Sequence, residues 1–201
     1  MRILISGSTG LVGTALVERL GGAGHRVERL VRRAAARPDE IQWDPDAGRL
    51  PVEAVEGADA VVNLSGAGIG DHRWTGEYKR TLLDSRLRTT ELLARTIAAA
   101  ERRPTAFVSG SAIGFYGERG DEVVDESDPG GDTFLADVCR HWEGATAAAE
   151  EAGIRTAHIR TGIVLSARGG ALKKQLPLFR LGLGGKFGNG KQWQSWISID
   201  D

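Results

Sequence analysis

Short apolar runs alternate with amphipathic stretches along this chain, and the alternation predicts repeated β-α units. Arg2-Ile3-Leu4-Ile5-Ser6 reads as a first strand. Leu11, Val12, Ala15, Leu16 and Leu20 then recur at helical spacing, and Gly21-Gly22-Ala23-Gly24 ends that helix. Arg26–Val31 is a second strand and Ile41–Asp44 a short third. Ala58–Leu64 is a fourth, its apolar run typical of a parallel sheet covered on both faces. A long helix is expected from Thr75 to Ala100, broken near Asp84. Thr105–Ser109 and Arg155–Arg160 are the fifth and sixth strands, joined through a helix from Thr133 to Ala152, and Leu172–Leu181 reads as a last helix. This pattern predicts an α/β fold with a doubly wound parallel sheet. Ligands of such sheets sit at the carboxyl ends of the strands.

The first strand-to-helix junction is Gly7-Ser8-Thr9-Gly10-Leu11-Val12-Gly13. Glycine is abundant here, 28 of 201 residues, so a glycine triplet alone says little. Its position between a strand and a helix, with a second strand directly after, is the context of a dinucleotide-binding turn. The glycines permit the tight turn and the close approach of a pyrophosphate, which the helix N-terminus attracts. NAD sites place an acidic residue at the end of the second strand. Here Glu28 lies inside the strand, and the strand ends Val31-Arg32-Arg33. Two guanidiniums suit a 2′-phosphate, so NADP(H) is expected in preference to NAD(H).

Two further strand ends carry polar, glycine-rich chain. Leu64-Ser65-Gly66-Ala67, after Asn63, lets the backbone pass beside the cofactor. In Ser109-Gly110-Ser111-Ala112-Ile113-Gly114-Phe115-Tyr116-Gly117, Ser111 and Tyr116 are the candidate catalytic groups, able to hydrogen-bond a substrate hydroxyl or carbonyl. Arg86 and Arg160 are candidates for polarising a substrate oxygen. The charge balance, 26 basic against 27 acidic residues, gives no field for nucleic acid or an anionic membrane. No apolar run reaches the ~20 residues that span a bilayer, and no cleavable leader is visible. The single Cys139 excludes an internal disulfide, and the four histidines lack ligand spacing, so no metal site is expected. These properties fit a cytoplasmic domain with a small-molecule substrate, with a homodimer as the assembly to expect.

The Gly7–Gly13 turn, Asn63-Leu64-Ser65-Gly66-Ala67 and the Ser111-to-Gly117 stretch resemble the extended short-chain dehydrogenases/reductases. Arg73-Trp74-Thr75, Ser85-Arg86, Trp142-Glu143, Gly182-Leu183-Gly184-Gly185, Gly188-Asn189-Gly190 and Ser195–Asp201 resemble one subgroup more narrowly. It is the NADP-binding "epimerase family" grouped with nucleoside-diphosphate-sugar epimerases. The resemblance implies a Rossmann-type fold, with residues 1–165 as the NADP-binding domain and 166–201 as the start of a substrate-binding portion. It also implies that the chain stops short of the substrate half. One feature departs from the pattern. Extended members pair the serine with Tyr-x-x-x-Lys on the next helix, whereas Thr133–Arg140 contains neither residue.

Three readings follow. The first is an NADP-dependent oxidoreductase or epimerase with an atypical proton relay, acting on a sugar nucleotide or small carbonyl compound. The second is a non-catalytic NADPH-binding sensor, and the third a structural partner domain with a vestigial cleft.

Overall fold

A computed structural model describes residues 1–186 and 188–201. The strands are β1 (Arg2–Ser6), β2 (Arg26–Val31), β3 (Glu40–Gln42), β4 (Ala60–Asn63), β5 (Ala106–Ala112) and β6 (Arg155–Thr161). They form one sheet in the order β3-β2-β1-β4-β5-β6, every neighbouring pair parallel. The helices are α1 (Leu11–Gly22), α2 (Gly76–Ala99), α3 (Phe134–Gly144), α4 (Ala147–Glu151) and α5 (Gly170–Arg180). β7 (Ile163–Leu165) and β8 (Trp196–Ser198) make a separate parallel pair.

The period-2 alternation within β1 explains the layering. Ile3 and Ile5, with Val62, face one side of the sheet and pack on Leu16, Val17 and Leu20 of α1. Leu4, Val61 and Phe107 face the other side, against Leu92, Leu93 and Ile97 of α2 and Ala149 of α4. Each such buried side chain contributes about 1.5–3 kcal/mol. A sheet with helices on both faces is the doubly wound α/β arrangement the pattern predicted. The strand order reverses direction between β1 and β4, which opens a crevice at their carboxyl ends.

Several local expectations change. α2 is one continuous helix of 24 residues, not two. Asp84 does not interrupt it, because its carboxylate lies 3.5 Å from Arg88 one turn on. Thr75 caps its start by accepting from Tyr78 N at 3.1 Å. The helix expected over 133–152 is instead two pieces, α3 and α4. Thr146 turns its hydroxyl back to the Glu143 carbonyl (2.7 Å) at the junction, which competes with continuation of the helix. β5 extends three residues beyond Ser109, to Ala112, and pairs Ser111 with Arg160 of β6. Ser111 is therefore a strand residue and not a loop residue.

Candidate functional site

The cofactor-side cleft is built mainly from backbone. Ser6 ends β1 with its hydroxyl donating to Asn63 Oδ1 (2.6 Å). Asn63 is fully buried at the end of β4 and donates in turn to Thr90 of α2 (2.8 Å). Its Oδ1 also accepts from Ser65 N (3.2 Å). One amide thus fastens both strand ends and the helix behind them. Asn63 has no role assigned from sequence alone, and two of its partners, Ser6 and Thr90, lie far along the chain.

Glycine is required at two points of the turn. Gly7 has φ +71°, and a Cβ there would come 2.5 Å from the Leu64 carbonyl. A Cβ on Gly13 would come 2.2 Å from the Gly7 oxygen, so α1 starts hard against the turn. Gly10 caps α1 in extended conformation with no side chain occupying the helix end. The first N–H groups of the helix therefore stay available to an anion. A cleft of about 720 Å³ opens there, lined by Gly7, Ser8, Thr9, Gly10, Arg32, Arg33 and the Leu64–Ala67 segment, among others. Leu11, Val12 and Gly13 form the first turn of the helix behind it. A narrow backbone-lined cradle under an open helix end fits a dinucleotide diphosphate.

The two arginines at the end of β2 are not equivalent. Arg33 donates from Nη2 and Nη1 to the two oxygens of Glu40, at 2.6 and 2.7 Å. Arg32 is exposed and makes no ion pair or hydrogen bond among the described residues. Arg33, expected with Arg32 to suit a 2′-phosphate, is paired with a carboxylate; spacing could not reveal this, since Glu40 belongs to the next strand.

Arg86 also differs from expectation. Its Nη1 donates to the carbonyls of Ala67 (3.1 Å) and Leu82 (2.9 Å), while Ser85 Oγ accepts from Ala67 N (3.0 Å). The guanidinium lies over the Trp142 ring, 4.9 Å from its centroid. Burial pushes the pKa of Arg86 below its ordinary value. These contacts make Arg86 a brace for the Gly66–Ala67 backbone.

At the other end of the sheet, β5, β6 and α3 bring Ser111, Glu143, Arg160 and Tyr116 into one chain of hydrogen bonds. Ser111 Oγ donates to Glu143 Oε1 (2.6 Å). Arg160 holds the same carboxylate with Nε on Oε1 (2.8 Å) and Nη2 on Oε2 (2.9 Å). Its Nη1 donates to the Tyr116 hydroxyl at 3.0 Å. The guanidinium is stacked 3.5 Å from the Phe115 ring centroid. Burial pushes the Glu143 carboxyl up, but its bonds to Arg160 and Ser111 more than offset this, so it sits below its ordinary value and is ionised. The Glu143 bond raises Arg160 further. An ionised carboxylate only accepts, so the Ser111 hydrogen is held by Glu143. Tyr116 receives from Arg160, which leaves its own hydrogen for another acceptor. Arg160, expected to polarise a substrate, is held by protein on three sides. Glu143, named from sequence only in the Trp142-Glu143 motif and given no role there, is the residue that joins Ser111 to Arg160.

On α3, Leu135 and Cys139 pack against Gly114, and Cys139 Sγ lies 3.6 Å from the Ala112 carbonyl. Burial raises the thiol pKa. Tyr116, Arg160 and His158 line a second, larger cleft of about 1360 Å³, closed on the far side by Glu118–Glu126 and Lys191–Ser195. On α5, Lys174 donates to the Gly70 carbonyl (3.0 Å) and lies 4.0 Å from Asp71. Phe187, within the Gly182–Gly190 segment, lies outside the described residues. Among the described residues no group of three or more His, Cys, Asp or Glu could hold a metal, and no helix is long and apolar enough to cross a membrane.

Comparison with known proteins identifies the relatives of this site. The model of the NAD dependent epimerase/dehydratase family matches residues 3–201, and the chain belongs to that family. An epimerase family protein of Mycobacterium leprae is 44% identical over 199 residues, covering 99% of this chain and 64% of that protein. The chain thus spans about two-thirds of the length of this relative. The crystal structure of a nucleoside-diphosphate sugar epimerase from Corynebacterium glutamicum is 45% identical and superposes with a TM-score of 0.86, covering all of this chain and 41% of that one. The human epimerase family protein SDR39U1 (isoform 2), solved with NADPH, is 38% identical with a TM-score of 0.89, covering all of this chain and 67% of that one. The fold is Rossmann-like, as in these neighbours.

Proposed function

We propose that this chain is the cofactor-binding part of an NADP(H)-dependent oxidoreductase or epimerase. The observation that carries the reading is the Gly7–Gly13 cradle with Arg32, unpartnered among the described residues, beside it. The diphosphate would lie against the α1 N-terminus and the Leu64–Ala67 backbone, with Arg32 on the 2′-phosphate. The NADPH-bound human neighbour supports the choice of cofactor. When bound, the nicotinamide supplies or accepts a hydride.

The chain's own residues then divide the remaining work. Tyr116 is the group with a free proton, and it gives or takes that proton at the substrate oxygen. Arg160, donating to the phenol oxygen, stabilises negative charge that develops there. Ser111 presents a lone pair, not a hydrogen, and so accepts from a substrate hydroxyl. In this reading Arg86 shapes the site through the Gly66–Ala67 backbone. Residues 1–165 carry the cofactor and 166–201 begin the substrate-binding portion. The substrate is a sugar nucleotide or a small carbonyl compound, in keeping with the name of the Corynebacterium neighbour.

A second reading, an NADPH-binding sensor without turnover, is favoured by one feature. The α3 face turned towards the end of β5 presents Leu135 and Cys139, not a tyrosine and a lysine. Fluorescence titration with NADPH, followed by assay of NADPH consumption against carbonyl compounds and sugar nucleotides, separates the two. Saturable binding with turnover supports the enzyme, and binding without any turnover supports the sensor. Absence of binding to either nicotinamide cofactor overturns both.

A further inference from the structure

The carboxylate behind Arg33 has no role in the cofactor reading above. Glu40 opens β3, and its side chain is only 2% exposed. Its two oxygens take Arg33 in a bidentate pair, and Oε2 also accepts from Ala36 N at 2.9 Å. Arg29 approaches to 3.6 Å but lies closer to Asp39, at 2.7 Å. Arg33 Nη1 donates additionally to the Ala34 carbonyl (2.8 Å), so both of its hydrogens are used. The forked edge of a guanidinium is the part that matches a phosphate, and on Arg33 that edge already holds a carboxylate. The hydrogen bonds from Arg33 keep Glu40 ionised, with its pKa lowered to about 2. The Arg33–Glu40 pair therefore carries no net charge towards the cleft at neutral pH. Arg32, one residue earlier, carries a full one.

We propose that Glu40 sets the cofactor preference from behind Arg33, so that Arg32 is the 2′-phosphate ligand while Arg33 covers a carboxylate that would otherwise repel the phosphate. The inference rests on the NADP(H) reading. It makes the two adjacent arginines respond in opposite ways to the loss of Glu40. Removing Arg32 deletes a contact, which no change at Glu40 restores. Removing Arg33 uncovers an anion beside the phosphate, and removing Glu40 as well takes that anion away.

The test is a set of NADPH and NADH titrations on the whole chain and its Arg32→Ala, Arg33→Ala, Glu40→Gln, Arg32→Ala/Glu40→Gln and Arg33→Ala/Glu40→Gln variants. Arg32→Ala is expected to weaken NADPH roughly 10–100-fold, the scale of one charge-assisted contact, with or without Glu40→Gln. Arg33→Ala is expected to weaken NADPH by roughly threefold to tenfold through repulsion, and adding Glu40→Gln should return affinity to near that of Glu40→Gln alone. NADH affinity stays level throughout, which separates a change of preference from a damaged fold. A double variant as weak as Arg33→Ala would place Arg33 on the phosphate itself and overturn the proposal, as would an Arg32→Ala variant that binds NADPH normally. Should the unaltered chain show no preference for NADPH, the cofactor reading fails and takes this inference with it. A preference without rescue removes only the role given to Glu40.

Discussion

The two ends of the sheet's carboxyl edge are built in opposite ways. At the turn between β1 and α1 the surface is backbone, with glycines where side chains would collide, and beside it Arg32 has no partner among the described residues. Around β5, β6 and α3 it is side chain, and the hydrogen bonds of Ser111, Glu143 and Arg160 go to one another. The first end is poised for an anion, because the first N–H groups of α1 have no side-chain cap and the Arg32 side chain has no partner among the described residues. The second is a closed network whose one outward proton is on Tyr116. A dinucleotide needs little more than the first arrangement. A reaction needs the second to stay ordered while a substrate enters.

The sharpest way to break this contrast is to alter one end and read the other. Gly13→Ala should reduce NADPH affinity by more than about a hundredfold, because the new Cβ meets the Gly7 oxygen at 2.2 Å and the turn must move. The Ser111–Glu143–Arg160 chain should survive it, which a crystal structure of the variant checks. Glu143→Ala is the converse. It strands the Arg160 guanidinium, 19% exposed, and should cost about 3–5 kcal/mol in urea unfolding. NADPH affinity should change by less than about twofold, since the hydrogen bonds of Glu143 go to Ser111 and Arg160 and not to the cradle. If Glu143→Ala weakened NADPH as much as Gly13→Ala, the two ends would not be independent.

Acid acts on carboxylates at both ends, with a smaller effect. The folded pKa of Glu40 is lowered to about 2 and that of Glu143 also lies below its ordinary value. The stability these groups contribute is therefore present above the ordinary carboxyl pKa of about 4.5 and is lost as pH falls through the folded values. Urea midpoints should stay level from about pH 7 to 5 and fall below about pH 4.5. Glu40→Gln should make that fall shallower, and an unchanged slope would show that Glu40 is not the titrating group.

The cofactor end was legible in the sequence because its determinants are local. Strand, glycine turn, helix and the arginines that follow all lie within the first 33 residues. The other end was not, because its partners come from different elements. Glu143 meets Ser111 across 32 positions and Arg160 across 17, and Arg160 meets Tyr116 across 44. No spacing rule joins such residues. The same reason hid Asn63, whose amide ties Ser6 to Thr90. It also hid the Arg33–Glu40 pair. Strand β5 was read too short because Ser109-Gly110-Ser111 is weak in β propensity, whereas pairing with β6 carries the strand to Ala112.

The proposed preference for a dinucleotide with a 2′-phosphate rests on Arg32 at the open end of the sheet. It is tested most directly by the ratio of the NADPH and NADH dissociation constants of the unaltered chain, measured at one ionic strength. A single free guanidinium on the 2′-phosphate predicts NADPH tighter by roughly tenfold or more. Equal constants, or tighter NADH, would contradict it.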